Sequence, residues 1–566
     1  MLKKIRNNLN DIDDYSVQNM NNKSEVVKMD AVEALGFLID NSLSKRKYTD
    51  FRLESKARNA DIFPPYNLVR EAKAVCRPEK ESIFFSDTKA LTTVRALTNH
   101  TARRIVEASE EILSSIIEED KLIVVEAELI LAYGGDGSTG HSMYHQLTSD
   151  GELINDNSMF TTSLTPLLLR TKDKKIIWRN DTPQSYRFNR PISLEFAKET
   201  REHVIKTFTD LKRQILIVEE ESGVFHSQEI PVLINFKFYP TIIDGKILNI
   251  LTENLIFGCQ PLHAIINTFN GLLHISYKKE IMAWRSNKGT KKRVDDRKKK
   301  ILEQLEKSFG IKFDKPRSGG SGTSTTGKLC RVAFNNPDKL AAALELDVDL
   351  IKNLSIILKV LNSHEDIDHE KFGDFCKNTY KLIVSLYPWY KLPATIHKIL
   401  AHSSDIIMIL PLSPGCFGEE GGESHNYFYK LARLMNARKT SRKENLMDVF
   451  YRAMDASDPV LSTKRLNTRL LRRRNRKIPL EVSYFFKEIT MDEEEEPAEA
   501  DLSYFITHIC NDLPMNYNSC SIRMEKVYFY IRKAPIICMK KGSPGSMASV
   551  ISEIVYLNWG TPDFDA

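Results

Sequence analysis

The chain has 566 residues, 42% of them apolar and 28% charged, a globular composition that excludes collagen-like and wholly disordered classes and allows three or four domains. No apolar run is long enough to span a bilayer, and the charged start MLKKIRNNLNDIDD carries no signal-peptide pattern. Eight scattered cysteines without a C-x-x-C argue against a disulfide framework and for reduced thiols. The net charge of +6 is concentrated in basic runs at 285–300 and 464–477, away from acids at 492–496, which points to a nucleic-acid partner.

Residues 1–25 are polar and Asn-rich, as in a mobile arm. Helical pattern begins at Lys28, with Ala31, Leu35, Phe37 and Leu38. Lys45, Arg46, Lys47, Arg52, Lys56 and Arg58 then interleave with Tyr48 and Phe51, and Pro64-Pro65 breaks the segment before a second helix at 66–75. Such a module suits a grip on duplex DNA; a solvated helical face is the other interpretation.

A helix is expected at 98–119, and 122–125 is either a strand or the end of that helix. Residues 128–133 read as a buried strand, followed by a Gly-Gly turn that presents Asp136. A carboxylate freed by glycines at a strand end suits a metal, and a plain Asp-Gly hairpin turn is the alternative. Strands follow at 161–170 and 175–178, joined at Lys172-Asp173-Lys174. The segment RFNRPISLEFAKETREHVIKTFTDLKRQI is expected to be a helix carrying Glu199, and PVLINFKFYPTIIDGKILNIL a strand leading to Asp244-Gly245. Two Asp-Gly strand ends, an acid-bearing helix between them and a later one predict an RNase H-like layered α/β domain.

Residues 260–284 read as an apolar amphipathic helix and the next segment, through 310, as a highly basic one with Lys291, Lys292 and Arg293. The loop KPRSGGSGTSTTGKLCRVAF nearly spells a phosphate-binding P-loop, but Leu329 stands where the magnesium-binding hydroxyl belongs and no strand precedes it. As a Gly/Ser loop bearing Arg317 and Lys328 it suits a nucleic-acid backbone. Helices continue over 336–402, placing His397 and His402 close to one helical face; two histidines alone are more often structural than metal ligands, and zinc would need two more.

The stretch 416–455 opens with the acidic turn GEEGGE and continues as a helix. Tyr427, Phe428, Leu431, Leu434 and Met435 predict its apolar face, with Lys430, Arg433 and Arg438 outside it. An acid at the start of a basic, half-buried helix suits a metal held against a polyanion; an acid complementing the helix dipole is the plainer alternative.

These blocks together resemble the Transib superfamily of DNA transposases and the related catalytic core of V(D)J recombination-activating protein 1, over about residues 30–455. GGDGSTGHSMY is similar to the block around the first catalytic aspartate, which falls on Asp136. TIIDGKILN places the second on Asp244, RPISLEFAKET an additional carboxylate on Glu199, and FGEEGGESHNYFYKLARLMNAR the final glutamate on Glu423. Four blocks in order make the likeness specific. One departure is clear: the family's C-x-x-C after the second aspartate is missing, Cys259 is a lone thiol in another context, and only His397 and His402 match the zinc site. The zinc site is therefore expected to be incomplete.

The resemblance implies a metal-dependent endonuclease and strand transferase. Asp136, Asp244, Glu423 and Glu199 would hold two Mg²⁺ or Mn²⁺ ions at the scissile phosphate of double-stranded DNA. Nicking at a terminal inverted repeat or recombination-signal-like end would be followed by hairpin formation. It also implies a nuclear homodimer with no membrane partner; no sequence feature indicates an accessory recombinase subunit. Phosphate contacts are expected from Lys45, Arg46, Lys56, Arg58, Lys291, Lys292, Arg293, Arg317, Lys328, Arg433 and Arg438. The expected organisation is an arm (1–27), a helical DNA-binding or dimerisation module (28–97), an RNase H-like core (98–258 and 411–480) split by a helical insertion (259–410), and an acidic, poorly integrated tail (481–566). A domesticated or decayed relative that binds DNA without cutting it is the alternative.

Overall fold

The computed structural model describes residues 26–141, 156–241, 260–314, 325–418, 420–472 and 478–487, all within one compact unit, Met1–Lys487. The fold is mixed α/β around a single mixed sheet.

Three helices come first: α1 (Ala31–Asp40), α2 (Lys45–Ala57) and α3 (Tyr66–Val75). Asp30 and Glu33 form a reciprocal capping box that starts α1, and Ser44 caps α2. Tyr48 is fully buried in the small core of this module, with Leu35, Leu38 and Val69, where Ala456 and Leu461 from the far end of the chain also pack.

The sheet order is β1-β2-β6-β4-β3-β8-β7, with β5 (Ile176–Arg179) beside β4. The hairpin β1 (Ile83–Phe85) and β2 (Lys89–Thr92) extends the edge formed by β6 (Arg190–Glu195). Helices α4 (Val94–Ala108) and α5 (Glu110–Asp120) lead into the centre. There β3 (Val125–Thr139) runs antiparallel to β4 (Ser158–Thr171), which is antiparallel to β6. Helix α6 (Arg201–Glu220) and β7 (Gly223–Ser227) then lead to β8 (Ile230–Pro240), which returns parallel to β3. Leu129 and Leu131 of β3 join the core formed with α4, α5 and α6, while Ile130 and Ala132 face Cys416 and Phe417 on the opposite side, the alternation expected of a pleated strand.

Two expectations are corrected here. Gly134-Gly135 is not a turn: β3 continues through it to Thr139, paired throughout with β4. The glycines serve close approach, since a Cβ at Gly134 would collide with the Thr241 side chain. The segment RPISLE is strand β6, not helix; the helix starts at Arg201, capped by Thr200, so Glu199 lies in the connection before it.

A second core is built by helices alone: α7 (Pro261–Lys278), α8 (Lys288–Phe309), α9 (Gly327–Phe334), α10 (Pro337–Leu344), α11 (Val348–Leu361), α12 (His369–Leu386) and α13 (Ala394–Ile409). Lys328 is therefore helical, in the first turn of α9 after the Thr326 cap. Helices α14 (Glu420–Met435) and α15 (Arg442–Ala456) return to the sheet core, and α16 (Pro459–Arg472) reaches the N-terminal helices. Residues expected in the tail belong to the helical core, where Val482 and Phe485 are buried and Phe486 bridges to Ile367. Among the described residues no single helix is long and apolar enough to cross a membrane.

Candidate active site

Asp136 lies within β3, past the point where β8 ends. Among the described residues the parallel register runs to Tyr133 opposite Pro240, and Gly134–Thr139 pairs only with β4. Here Asp136 meets α14. Asn426 Nδ2 donates to Asp136 Oδ2 at 2.6 Å, and the space beside Gly422 opens onto the Asp136 Cβ at 4.0 Å. Thr161 Oγ1 donates to the Asp136 carbonyl from β4.

Glu423 stands in the first turn of α14. Its surroundings combine the sheet with the helical core: His263 of α7 and Arg331 of α9 act on its charge, and Arg331 pairs with Glu420 one turn earlier. Glu199 lies against Gly137, where a Cβ would come within 2.7 Å of the Glu199 Cβ, so the glycine makes room for this acid.

The electrostatics link the three acids. Burial pushes the Asp136 carboxyl up to about 6, and the charges of Glu199 and Glu423 push the same way, against the Gly137 amide and Asn426. Burial also raises Glu423, assisted by Glu420 and opposed by His263 and Arg331. Among the described residues, no three His, Cys, Asp or Glu side chains are drawn together closely enough to share one ion. Asp244 lies outside the described residues. The last described residue before it, Thr241, bonds through its amide to the Tyr133 carbonyl, three positions before Asp136.

The other expected residues divide clearly. His397 and His402 are exposed neighbours on α13, their ring centroids 5.3 Å apart, with Asp405 3.6 Å from His402. Cys259 lies outside the described residues, as does Arg317. Lys45, Arg46 and Lys56 are exposed on α2; Arg58, just beyond it, is exposed but paired with Glu54. Lys291, Lys292 and Arg293 project from the start of α8, and Lys328 is exposed on α9.

Arg433 is corrected: its side chain is 2% exposed and bonded to Asp156, the His141 carbonyl and Asn445, so it holds the fold instead of facing a phosphate. Arg438 is exposed, but its guanidinium is engaged by Asp448 and Glu444. Lys464 and Arg465, at the head of the basic run, pair with Asp30 and Asp40. The expected apolar face of α14 is also corrected, except at Phe428, which is half-buried and packs against the core. Tyr427 is 67% and Met435 70% exposed, with Leu431 and Leu434 exposed as well, and the buried side carries His425, Asn426, Tyr429, Ala432 and Arg433. That polar face finds polar partners on β3 and just before β6: His425 Nδ1 lies 2.8 Å from Asn189 Oδ1, beside the Asn426–Asp136 bond. Periodicity alone missed Asn426, whose one legible signal is its place three residues after Glu423.

The chain matches none of the models of known protein families and no curated protein sequence.

Proposed function

We propose that this protein is a DDE-type DNA endonuclease and strand transferase of RNase H-like architecture, related to the Transib transposases and the catalytic core of V(D)J recombination-activating protein 1. The observation that carries this reading is that acids from a strand, a loop and a helix far apart in sequence border one another: Glu199 lies against Gly137, and Asp136 lies against Gly422, the neighbour of Glu423. The sheet supports it: three antiparallel strands in the order β6-β4-β3, a connecting helix, and β8 parallel to the central β3. On this reading the helices between β8 and α14 are an insertion that presents His263 and Arg331 to the Glu423 end of the site.

Carboxylate oxygens are the donors that hard divalent cations, Mg²⁺ or Mn²⁺, prefer. Asp136, Glu423, Glu199 and, from the resemblance, Asp244 would hold them; when bound, such ions supply Lewis acidity at the scissile phosphate and the departing 3′ oxygen. The protein's own part is to position the acids. Asn426 and the Gly137 amide orient Asp136, and Gly137 leaves space for Glu199. Exposed Lys45, Arg46, Lys56, Lys291, Lys292, Arg293 and Lys328 would contact the phosphates of terminal-repeat DNA, with a homodimer pairing two ends in the nucleus.

A second reading, a relative that binds DNA without cutting it, is favoured by one observation: among the described residues no three acids stand at shared-ion spacing. The test is nicking of labelled linear DNA carrying the sequences that flank the encoding locus, with Mg²⁺ or Mn²⁺. Nicking by wild type and its loss in Asp136→Ala and Glu423→Ala, with binding retained, supports the enzyme. Binding without nicking under either ion leaves the binder.

A further inference from the structure

We propose that Asn426 is a positioning residue, whose amide holds the Asp136 carboxylate and thereby sets where Glu423, on the same helix, stands relative to it. The proposal rests on the reading of these two acids as ion-holding groups, and adds a residue that the sequence blocks do not assign.

The geometry is direct. Asn426 is 6% exposed, and its Nδ2 lies 2.6 Å from Asp136 Oδ2 across 290 positions of sequence. An ionised carboxylate only accepts, so the NH₂ group must face it. Among the described residues the other end of the amide, Oδ1, is buried without a hydrogen-bond partner. A buried amide with an unmatched acceptor is a poor choice for packing alone, since a leucine of similar size would fill the space without an orphaned oxygen. Asn426 follows Glu423 by three residues, the spacing that brings two side chains to neighbouring positions on one side of a helix. The bond to Asp136 therefore fixes both the rotation and the height of the α14 first turn against β3.

The neighbouring bonds reinforce that register. His425 reaches Asn189 at 2.8 Å, Tyr429 Oη lies 3.1 Å from the same imidazole nitrogen, and Asn189 Nδ2 donates to Thr165 Oγ1 on β4. Near the site, α14 is thus held to the sheet by directional polar bonds. Of these, the Asn426 bond ends on a proposed ion-holding acid.

The experiment is Mn²⁺ binding to the full chain, read by the electron paramagnetic resonance of free Mn²⁺, with melting in metal-free buffer as the folding control. Asn426→Leu keeps the size and removes the donor; Asn426→Ser keeps polarity but falls short of Asp136. Both are expected to weaken Mn²⁺ binding about 10- to 100-fold without a matching loss of melting temperature. Asn426→Gln, which retains a donating amide, is expected to recover part of the affinity. If Asn426→Leu does not fold, the Ser and Gln pair carries the comparison.

Glu423→Gln should weaken binding less in the Asn426→Leu background than in wild type, because the register it depends on is already lost. Unchanged Mn²⁺ affinity in folded Leu or Ser variants, against a wild type that binds, overturns the positioning role and leaves the proposed enzyme standing. Strictly additive effects of Asn426→Leu and Glu423→Gln overturn the claim that the register is shared. A wild type that binds Mn²⁺ no better than Asp136→Asn overturns the ion-holding reading, and the positioning role with it.

Discussion

Arg433 Nη2 donates to Asp156 Oδ2 at 3.0 Å, in an ion pair whose two side chains are 2% and 3% exposed. The same guanidinium reaches the His141 carbonyl at 2.8 Å and stacks over Phe196. One arginine thereby ties α14 to both flanks of the segment 142–155 and to the end of β6. Removing only one partner strands a buried charge. Asp156→Ala is expected to destabilise the fold by about 3–5 kcal/mol, seen as a lower denaturant midpoint, and the double replacement Arg433→Met with Asp156→Leu should recover most of it. A DNA-affinity loss in Arg433→Met without any stability loss would contradict this assignment.

The raised Asp136 carboxyl makes a pH prediction with a definite sign. Its proton is lost near 6 in the folded chain against 3.8 for an ordinary aspartate. Between those values the folded state holds a proton that the unfolded state has released, so this group's contribution to stability falls as pH rises through that window. Glu423 is shifted in the same direction. Metal-free wild type should lose more melting temperature than Asp136→Asn between about pH 4 and pH 7. Identical pH slopes in the two proteins would show that Asp136 titrates normally.

The basic helix α8 contains arginines and lysines with two different jobs. Arg297 is buried and bonded to Glu280, Glu345 and the Ser276 carbonyl, whereas Lys291, Lys292 and Arg293 are exposed and form no ion pair among the described residues. Replacing these three with alanine should weaken binding to DNA of any sequence and lower the slope of log affinity against log salt by about 0.9 for each phosphate no longer neutralised. Arg297→Ala should instead lower stability and leave the salt slope of the remaining folded protein unchanged. Gel-shift titrations at several salt concentrations, with a melting control, separate the two.

Gly137→Ala probes the junction of β3 with Glu199. The new methyl would meet the Glu199 side chain at 2.6–2.7 Å, including its Cβ, which cannot swing away without moving the connection before α6. Overpacking of this kind costs about 1–3 kcal/mol. The expected outcome is a folded protein of lower melting temperature whose metal-dependent nicking is impaired to about the level of Glu199→Ala. Wild-type nicking in Gly137→Ala would separate Glu199 from the chemistry.

Much of the architecture was legible because it is written locally. The basic helix α8 follows from its lysine- and arginine-rich composition, and the structure bounds it with the Asn287 cap and with Gly310, whose positive φ suits a helix end. The helices from Pro337 to Ile409 follow from apolar periodicity, and β4 and β5 from their β-rich runs around the Lys172-Asp173-Lys174 turn. Residue identity in the motif blocks singled out Asp136, Asp244, Glu199 and Glu423 as a group, of which Asp244 lies outside the described residues. Tertiary structure decided the rest. Gly134-Gly135 reads locally as a turn, yet β4 pairs across it and Thr241 packs on it, so the strand continues. Tyr427, Leu431, Leu434 and Met435 read locally as a core-facing stripe. They are exposed because the opposite, polar face of the helix finds Asp136, Asn189 and Asp156 waiting on distant segments. Periodicity tells that a helix has two faces; which face is buried depends on whether partners hundreds of residues away can satisfy its hydrogen bonds and charges.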